Sequence, residues 1–527
     1  VSKRAECVRV LSIALLVIAL RAPLMDLPIE RDEGGYAYIA WRMTLGEMPY
    51  LDWFDQKPPG IFGIYRLAIA FTDTAVVGAR ALAAVFSAAA ATALFYLVRE
   101  LFGARVGWVA ALLLAFLSAD PLVHGSIANT ELFMLPGIIV ATLLVLRASA
   151  SAKTPIATTI AAGAAIGIAM AFKQVAASNL PFFLLAFGLR VRGPGRWRRL
   201  ATFAAWLSVG VVAVWLPILG WLALRGALAA AIDATFLHNL AYAGALPASR
   251  RLELLMAYGE PLLRSQAAAW AFAALGGVLL ASRRDRLAAY FLGGFALANA
   301  VGVSAGGNYF PHYFQQLLPA VAALAAAAVC GARARVEPSR WRVAALGGLA
   351  LAPPVLTTVS LWMASPTAAI QRIYPHNSFA SMPMIANEIE SLTAADDSVF
   401  VFGTEPEILF DARRRSATRY IYLFPLFGPF ADALERQQQV IDEVSSARPP
   451  VMIWLPNQMF FVEGAPQLLT SWFQRLVARE YHVHAFRVSG RDGGMELLRV
   501  PRGVNPNAVL GSRKPSATIF VRDDAGR

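Results

Sequence analysis

The sequence predicts a mainly α-helical, polytopic membrane protein with a C-terminal extracytoplasmic α/β domain, and three observations carry that prediction. Hydrophobic residues fill 57% of the 527 positions and charged ones only 15%, and the mean hydropathy is +0.53. Apolar stretches near the bilayer-crossing length of about twenty residues recur from the N-terminus to residue 363. Beyond Pro366 the pattern changes to short β-rich runs alternating with amphipathic segments, the signature of an α/β domain.

Eleven spans are expected, at 8–24, 75–98, 105–119, 131–148, 155–172, 174–190, 200–223, 266–282, 286–304, 313–331 and 341–363. The apolar piece 60–71 is too short to span and reads as an interfacial or re-entrant helix. The net charge of +13 would suit a nucleic-acid binder, but its distribution argues otherwise. Lys and Arg cluster in short loops: Lys3, Arg4 and Arg9; Arg99 and Arg105; Arg147 and Lys153; Arg190 to Arg199; Arg283, Arg284 and Arg286; Arg333 to Arg342. These loops alternate along the chain, as cytoplasmic ends do under the positive-inside rule. With the N-terminus inside, every basic cluster falls inside and the C-terminus falls outside. The basic balance is topology, and no nucleic-acid partner is expected.

The first apolar run ends in Arg21-Ala22-Pro23-Leu24, which offers no small-x-small cleavage site, so an uncleaved first span is expected. Cys7 and Cys330 both lie beside basic loops, so no disulfide is expected, and two cysteines are too few for a structural metal cluster.

The stretch that breaks the membrane pattern is 29–60, IERDEGGYAYIAWRMTLGEMPYLDWFDQKPPG. Asp32 and Glu33 follow the first span directly. Gly34 and Gly35 predict a turn, and Tyr36, Tyr38, Trp41, Tyr50, Trp53 and Phe54 read as interfacial rings. Asp55-Gln56-Lys57-Pro58-Pro59 closes the segment with a lysine ahead of a rigid proline pair.

The acidic pair, the Tyr-rich stretch and Asp-x-Lys-Pro-Pro together resemble the first extracytoplasmic loop of GT-C glycosyltransferases. The nearest group is that of the protein O-mannosyltransferases and lipid A aminoarabinose transferases, family 39-like. Asn129-Thr130-Glu131, Phe172-Lys173-Gln174 and the run Asn308 to Tyr313 fit the same pattern, over roughly residues 8–365. One departure is Gln56, where the aminoarabinose transferases usually carry Glu before Lys-Pro-Pro.

The resemblance implies a GT-C fold in an inner (plasma) membrane. It implies transfer of a sugar from a polyprenyl-phosphate donor, inverting the anomeric centre, onto a glycan, lipid or protein acceptor. An acceptor hydroxyl must lose its proton as it attacks, so a carboxylate is needed on its side; Asp32, Glu33 and Glu131 are the catalytic candidates. The departing phosphate needs cations, for which Lys57, Lys173, Arg264 and Arg66 are available. Asp55, Tyr309, His312 and Tyr313 are candidate substrate-binding residues, and His238 is a candidate ligand for the divalent cation often used in the family. Plainer readings stand beside these. Acids outside a span are often only solvated, Glu131 suits a helix N-terminus, Lys173 can snorkel, and interfacial tyrosines commonly anchor.

In the C-terminal region strands are expected at 398–403, 417–425, 451–456 and 481–488, with helices at 379–394, 431–447 and 466–479 and a largely parallel sheet. No glycine-rich phosphate loop follows a strand there. The expected division is a transmembrane domain 1–365, an α/β domain 366–500 that positions the acceptor, and a mobile tail 501–527. A transporter or flippase would also explain the spans and Lys173, but predicts internal repeats that the sequence does not display. A non-catalytic scaffold in envelope assembly is the third reading.

Overall fold

Helices stand at all eleven apolar runs: Lys3–Arg21, Ala75–Phe102, Ala104–Leu117, Thr130–Ala150, Ile156–Phe172, Asn179–Arg190, Arg196–Leu224, Ala267–Ser282, Arg286–Ser304, Leu318–Val329 and Arg340–Trp362. The computed structural model describes residues 3–72, 74–244, 246–282, 286–332, 338–428, 430–455, 465–490 and 494–524. Arg283, Arg284, Arg333, Arg335 and Pro456, used in the sequence reading, lie outside the described residues. Among the described residues six helices are long and apolar enough to cross a membrane. Ala248–Ser265 and Ala267–Ser282, bent by 91°, make a seventh span if taken as one. Ala104–Leu117, Ile156–Phe172, Leu318–Val329 and the 60–71 helix are shorter and apolar, so length and composition do not establish eleven spans.

The chain divides into two units, each assembled from separate stretches. Val1–Leu27, Lys57–Leu224 and Leu246–Ala369 form the helical unit; Pro28–Gln56, Arg225–Ala245 and Ile370–Arg527 form the other. The last break in this division falls after Ala369, and two earlier stretches, 28–56 and 225–245, group with the C-terminal part.

In the helical unit small residues let backbones approach. A Cβ added to Gly163 would sit 2.0 Å from the Leu207 carbonyl oxygen, and one on Gly210 2.1 Å from that of Ile160. The helices Ile156–Phe172 and Arg196–Leu224 thus cross backbone to backbone, the packing that membrane helices favour.

The second unit is built on six strands: β1 Ser398–Phe402, β2 Arg415–Ser416, β3 Val451–Trp454, β4 Tyr481–Ser489, β5 Met495–Arg499 and β6 Ala517–Arg522. Their order is β2-β1-β3-β6-β4-β5. The first three are parallel, whereas β6 runs antiparallel to both β3 and β4, and β5 antiparallel to β4. The sheet is mixed rather than largely parallel.

Two further expectations are corrected here. Within the expected mobile tail, residues 517–522 form β6, which sits in mid-sheet with Ala517, Ile519, Phe520 and Val521 buried. The run 417–425 is not a strand beyond the short β2. The Arg419 amide and the Thr418 hydroxyl both donate to the Glu443 carboxylate, which draws this backbone off the sheet ladder.

The acidic stretch is a helix, Arg31–Thr44, and Gly34 and Gly35 lie inside it rather than in a turn. Tyr36, Tyr38, Tyr50, Trp53 and Phe54 are buried in the core of this unit and are not interfacial rings. Tyr38 shows what such burial requires: its hydroxyl accepts the Ser416 amide at 2.8 Å.

Candidate functional site

In the helical unit four of the expected residues come together. Glu131 opens the helix Thr130–Ala150 and is 1% exposed. One of its carboxylate oxygens takes the Lys173 ammonium and the other takes the Thr130 hydroxyl at 2.9 Å. Lys173 sits in the break between Ile156–Phe172 and the 3₁₀ turn Gln174–Ser178. Its ammonium lies 3.6 Å from the centroid of the Tyr313 ring, a cation–π contact. His312 presents Nε2 to Glu131 at 4.0 Å.

The sequence reading missed His124. Its Nδ1 lies 3.4 Å from Nδ1 of His312, extending the row to Lys173, Glu131, His312 and His124. Burial, then the neighbouring His312, pushes the His124 pKa well below the usual histidine value, so its ring is neutral. The loop that carries it is held from several sides. Arg21 donates to the carbonyls of Ser118 and Gly125, and Gln315 donates to those of Ser118 and Val123. Asp120 accepts from the Leu122 amide and the Gln266 side chain. A lone histidine in a short outer loop carried no signal of this; the pairing exists only in three dimensions.

Other expected residues stand apart within the same unit. Arg264 is 82% exposed and pairs with Glu260 one turn earlier, so its charge is already met at the surface. Tyr309 has a left-handed backbone, φ 49°, and its ring lies near Phe314. Lys57 and Arg66 are half-buried.

In the second unit the acidic helix begins with a cap of its own kind. The Glu30 side chain accepts the Glu33 amide at 3.0 Å. Asp32 is half-buried, whereas Glu33 is completely buried. The adjacent acids therefore face different surroundings, as neighbouring positions on a helix must. Asp55 is 3% exposed. Tyr422 is pushed well above the usual tyrosine value by burial and then by the charges of Asp55 and Asp32. Tyr50, in a left-handed conformation with φ 70°, is raised by burial and by Asp55.

Behind this helix lies a second cluster that the sequence did not suggest. Glu405 pairs with Arg31 at 2.9 Å, and both Glu405 and Glu407 are fully buried. Neither carboxyl oxygen of Glu407 has a hydrogen-bond partner among the described residues. Burial, then the Glu405 charge, raises Glu407 well above the usual carboxylate range; burial, then Asp32 and Glu33, does the same for Glu30. Arg487, also buried, is pushed down to about 10 by desolvation, against the pull of Glu405 and Glu407.

A pH dependence follows. An acid whose pKa is raised on folding binds its proton more tightly in the folded chain. Its stabilisation is complete below the unfolded value near 4.3 and is lost as pH rises toward the folded value. Glu407→Gln removes that proton from the balance. The variant is expected to flatten the loss of stability as pH rises above the unfolded carboxylate value, by up to about 1.4 kcal/mol per pH unit. Thermal unfolding in detergent across that range checks it; an unchanged slope would show Glu407 to be ionised in the fold.

His238 fails as a metal ligand. An arginine can only donate, so the Arg436 guanidinium 3.2 Å from His238 Nδ1 occupies that lone pair and leaves the proton on Nε2. Burial and the Arg436 charge lower its pKa to about 4. Among the described residues no group of three or more His, Cys, Asp or Glu is placed to hold an ion.

Residues 56–221 match the family model described as dolichyl-phosphate-mannose-protein mannosyltransferase. No protein of curated function matches the sequence. Among solved structures, ArnT from Cupriavidus metallidurans bound to undecaprenyl phosphate is similar, at TM-score 0.64 and 18% identity over 96% of this chain and 100% of that one. The archaeal oligosaccharyltransferase AglB from Archaeoglobus fulgidus, in complex with an inhibitory peptide and a dolichol-phosphate, aligns at TM-score 0.52 and 13% identity, over 96% of this chain and 75% of that one. Arabinofuranosyltransferase AftD from Mycobacteria aligns at TM-score 0.53 and 15% identity, over 99% of this chain and 40% of that one. The chain has the GT-C fold of membrane glycosyltransferases. The family match is confined to residues 56–221, while the likeness of fold to ArnT extends over nearly the whole chain.

Proposed function

We propose that this chain is an inverting glycosyltransferase that moves a sugar from a polyprenyl-phosphate donor to an envelope glycan, lipid or protein at the outer face of the inner membrane. The observation that carries this reading is the GT-C fold with Asp32 half-buried on the first turn of the acidic helix while Glu33 is fully buried. Asp32 takes the proton of the acceptor hydroxyl as that oxygen attacks the anomeric carbon. The bond from that carbon to the phosphate oxygen breaks, and the carrier leaves as polyprenyl phosphate. Lys57 steadies the leaving phosphate. Lys173, already paired with Glu131, holds the fold of its own site as much as any substrate charge.

A supported lipid carrier is undecaprenyl or dolichol phosphate, which accompany ArnT and AglB respectively. The direct test is sugar transfer by the purified protein from a polyprenyl-phosphate sugar, with the product found by mass analysis. Deleting the gene and comparing envelope glycans and lipids identifies the acceptor. A protein that binds the carrier phosphate but transfers no sugar, and whose loss leaves every envelope species intact, would refute the reading.

The topology has its own test. A cysteine at the exposed Gln438 is expected to react with an impermeant maleimide in intact cells whose outer membrane has been opened. A cysteine at Arg198 should react only after the inner membrane is permeabilised. Both are placed in a chain lacking Cys7 and Cys330. The reverse pattern would put Asp32 on the cytoplasmic side and remove it from the reaction.

A further inference from the structure

The acidic helix is fastened from the far end of the chain. Arg31, the residue before Asp32, sends Nε to the Thr404 carbonyl at 2.7 Å and Nη2 to Glu405 at 2.9 Å. Its guanidinium lies 5.7 Å from the centroid of the Phe379 ring. Glu405 is itself held, since its other oxygen accepts the Thr404 amide at 2.6 Å. One turn along, the helix touches the same region without side chains of its own. A Cβ on Gly34 would lie 2.5 Å from Glu407 Cβ, and one on Gly35 1.7 Å from the Tyr422 hydroxyl. These glycines are where a helix normally loses about 1 kcal/mol each, so a close approach explains their presence better than a turn does.

We propose that Glu405 is a positioning residue for sugar transfer: through Arg31 it fixes the first turn of the Arg31–Thr44 helix and so the direction of Asp32. This rests on the reading of Asp32 as the base. The segment around Glu405 would then help set up the reaction centre, in addition to any part it has in acceptor choice. Arg31 is turned onto Glu405 and Thr404, and its charge is met there.

The test combines exchange and kinetics. In Glu405→Ala, amide hydrogen exchange is expected to rise in 28–38 while β1 and β3 keep their protection. The kcat for transfer should fall on the order of 10²-fold, as for a displaced catalytic group, with KM for the donor changed less than about twofold. In the Asp32→Asn background Glu405→Ala should cost nothing more. Glu405→Gln, which keeps the oxygen that accepts from Arg31, should recover most of the rate. If Glu405→Ala unfolds the unit, exposing β1 and β3 as well, the same comparisons are read in Glu405→Gln, with smaller changes in the same direction. Unchanged exchange in 28–38, or a full further loss in the Asp32→Asn background, overturns the proposal. A fully active Asp32→Asn instead refutes the base, and exchange alone then decides the clamp.

Discussion

Asp32→Asn is expected to leave the protein folded and able to bind its lipid carrier while lowering transfer on the order of 10²- to 10⁴-fold, the usual cost of a positioned general base. The substitution keeps the size of the side chain and one accepting oxygen, so insertion and packing should hold. Glu33→Gln is the control. Glu33 is completely buried and Asp32 only half-buried, so of the pair Asp32 retains exposed surface for an acceptor. Glu33→Gln should therefore alter stability more than chemistry, with a rate within about tenfold of the parent. Single-turnover transfer and carrier binding, measured in detergent at matched protein concentration, separate the two. A dead Glu33→Gln beside an active Asp32→Asn would move the role one residue along. Two active variants would remove this helix from the chemistry.

The membrane helices were legible because their signal is local: an apolar run of sufficient length is visible without any partner. The acidic helix stood out from the membrane pattern but was misread in shape. Gly34 and Gly35 looked like a turn because glycine disfavours helices, and the glycines make sense only against Glu407 and Tyr422, hundreds of positions away. Its aromatic rings were assigned to the interface for the same reason. Nothing near Tyr36 or Trp53 in sequence reveals the C-terminal partners that bury them. Strand β6 was lost among Pro, Gly and Arg residues whose composition reads as a tail, although Ala517–Arg522 is itself a β-branched and aromatic run. Glu131 and Lys173 were each singled out by the family resemblance, through Asn129-Thr130-Glu131 and Phe172-Lys173-Gln174. Their pairing across 42 positions, and His124 beyond them, was beyond any local pattern.

That pairing carries the second large effect. Lys173 is 8% and Glu131 1% exposed, so neither charge has water to fall back on. Removing one partner strands the other, at an expected cost of about 3–5 kcal/mol. Lys173→Met and Glu131→Gln should each destabilise the helical unit by about that much. The double variant should cost far less than the sum, because no uncompensated charge remains. Tyr313 gives a further handle: its ring sits over the ammonium, so Tyr313→Leu should weaken the lysine's hold by about 0.5–2 kcal/mol, and should do so only while Lys173 is present. Unfolding in mixed detergent micelles supplies the four corners of the cycle. Strictly additive losses would mean that Lys173 and Glu131 do not share their charge, and that water or another group satisfies each of them separately.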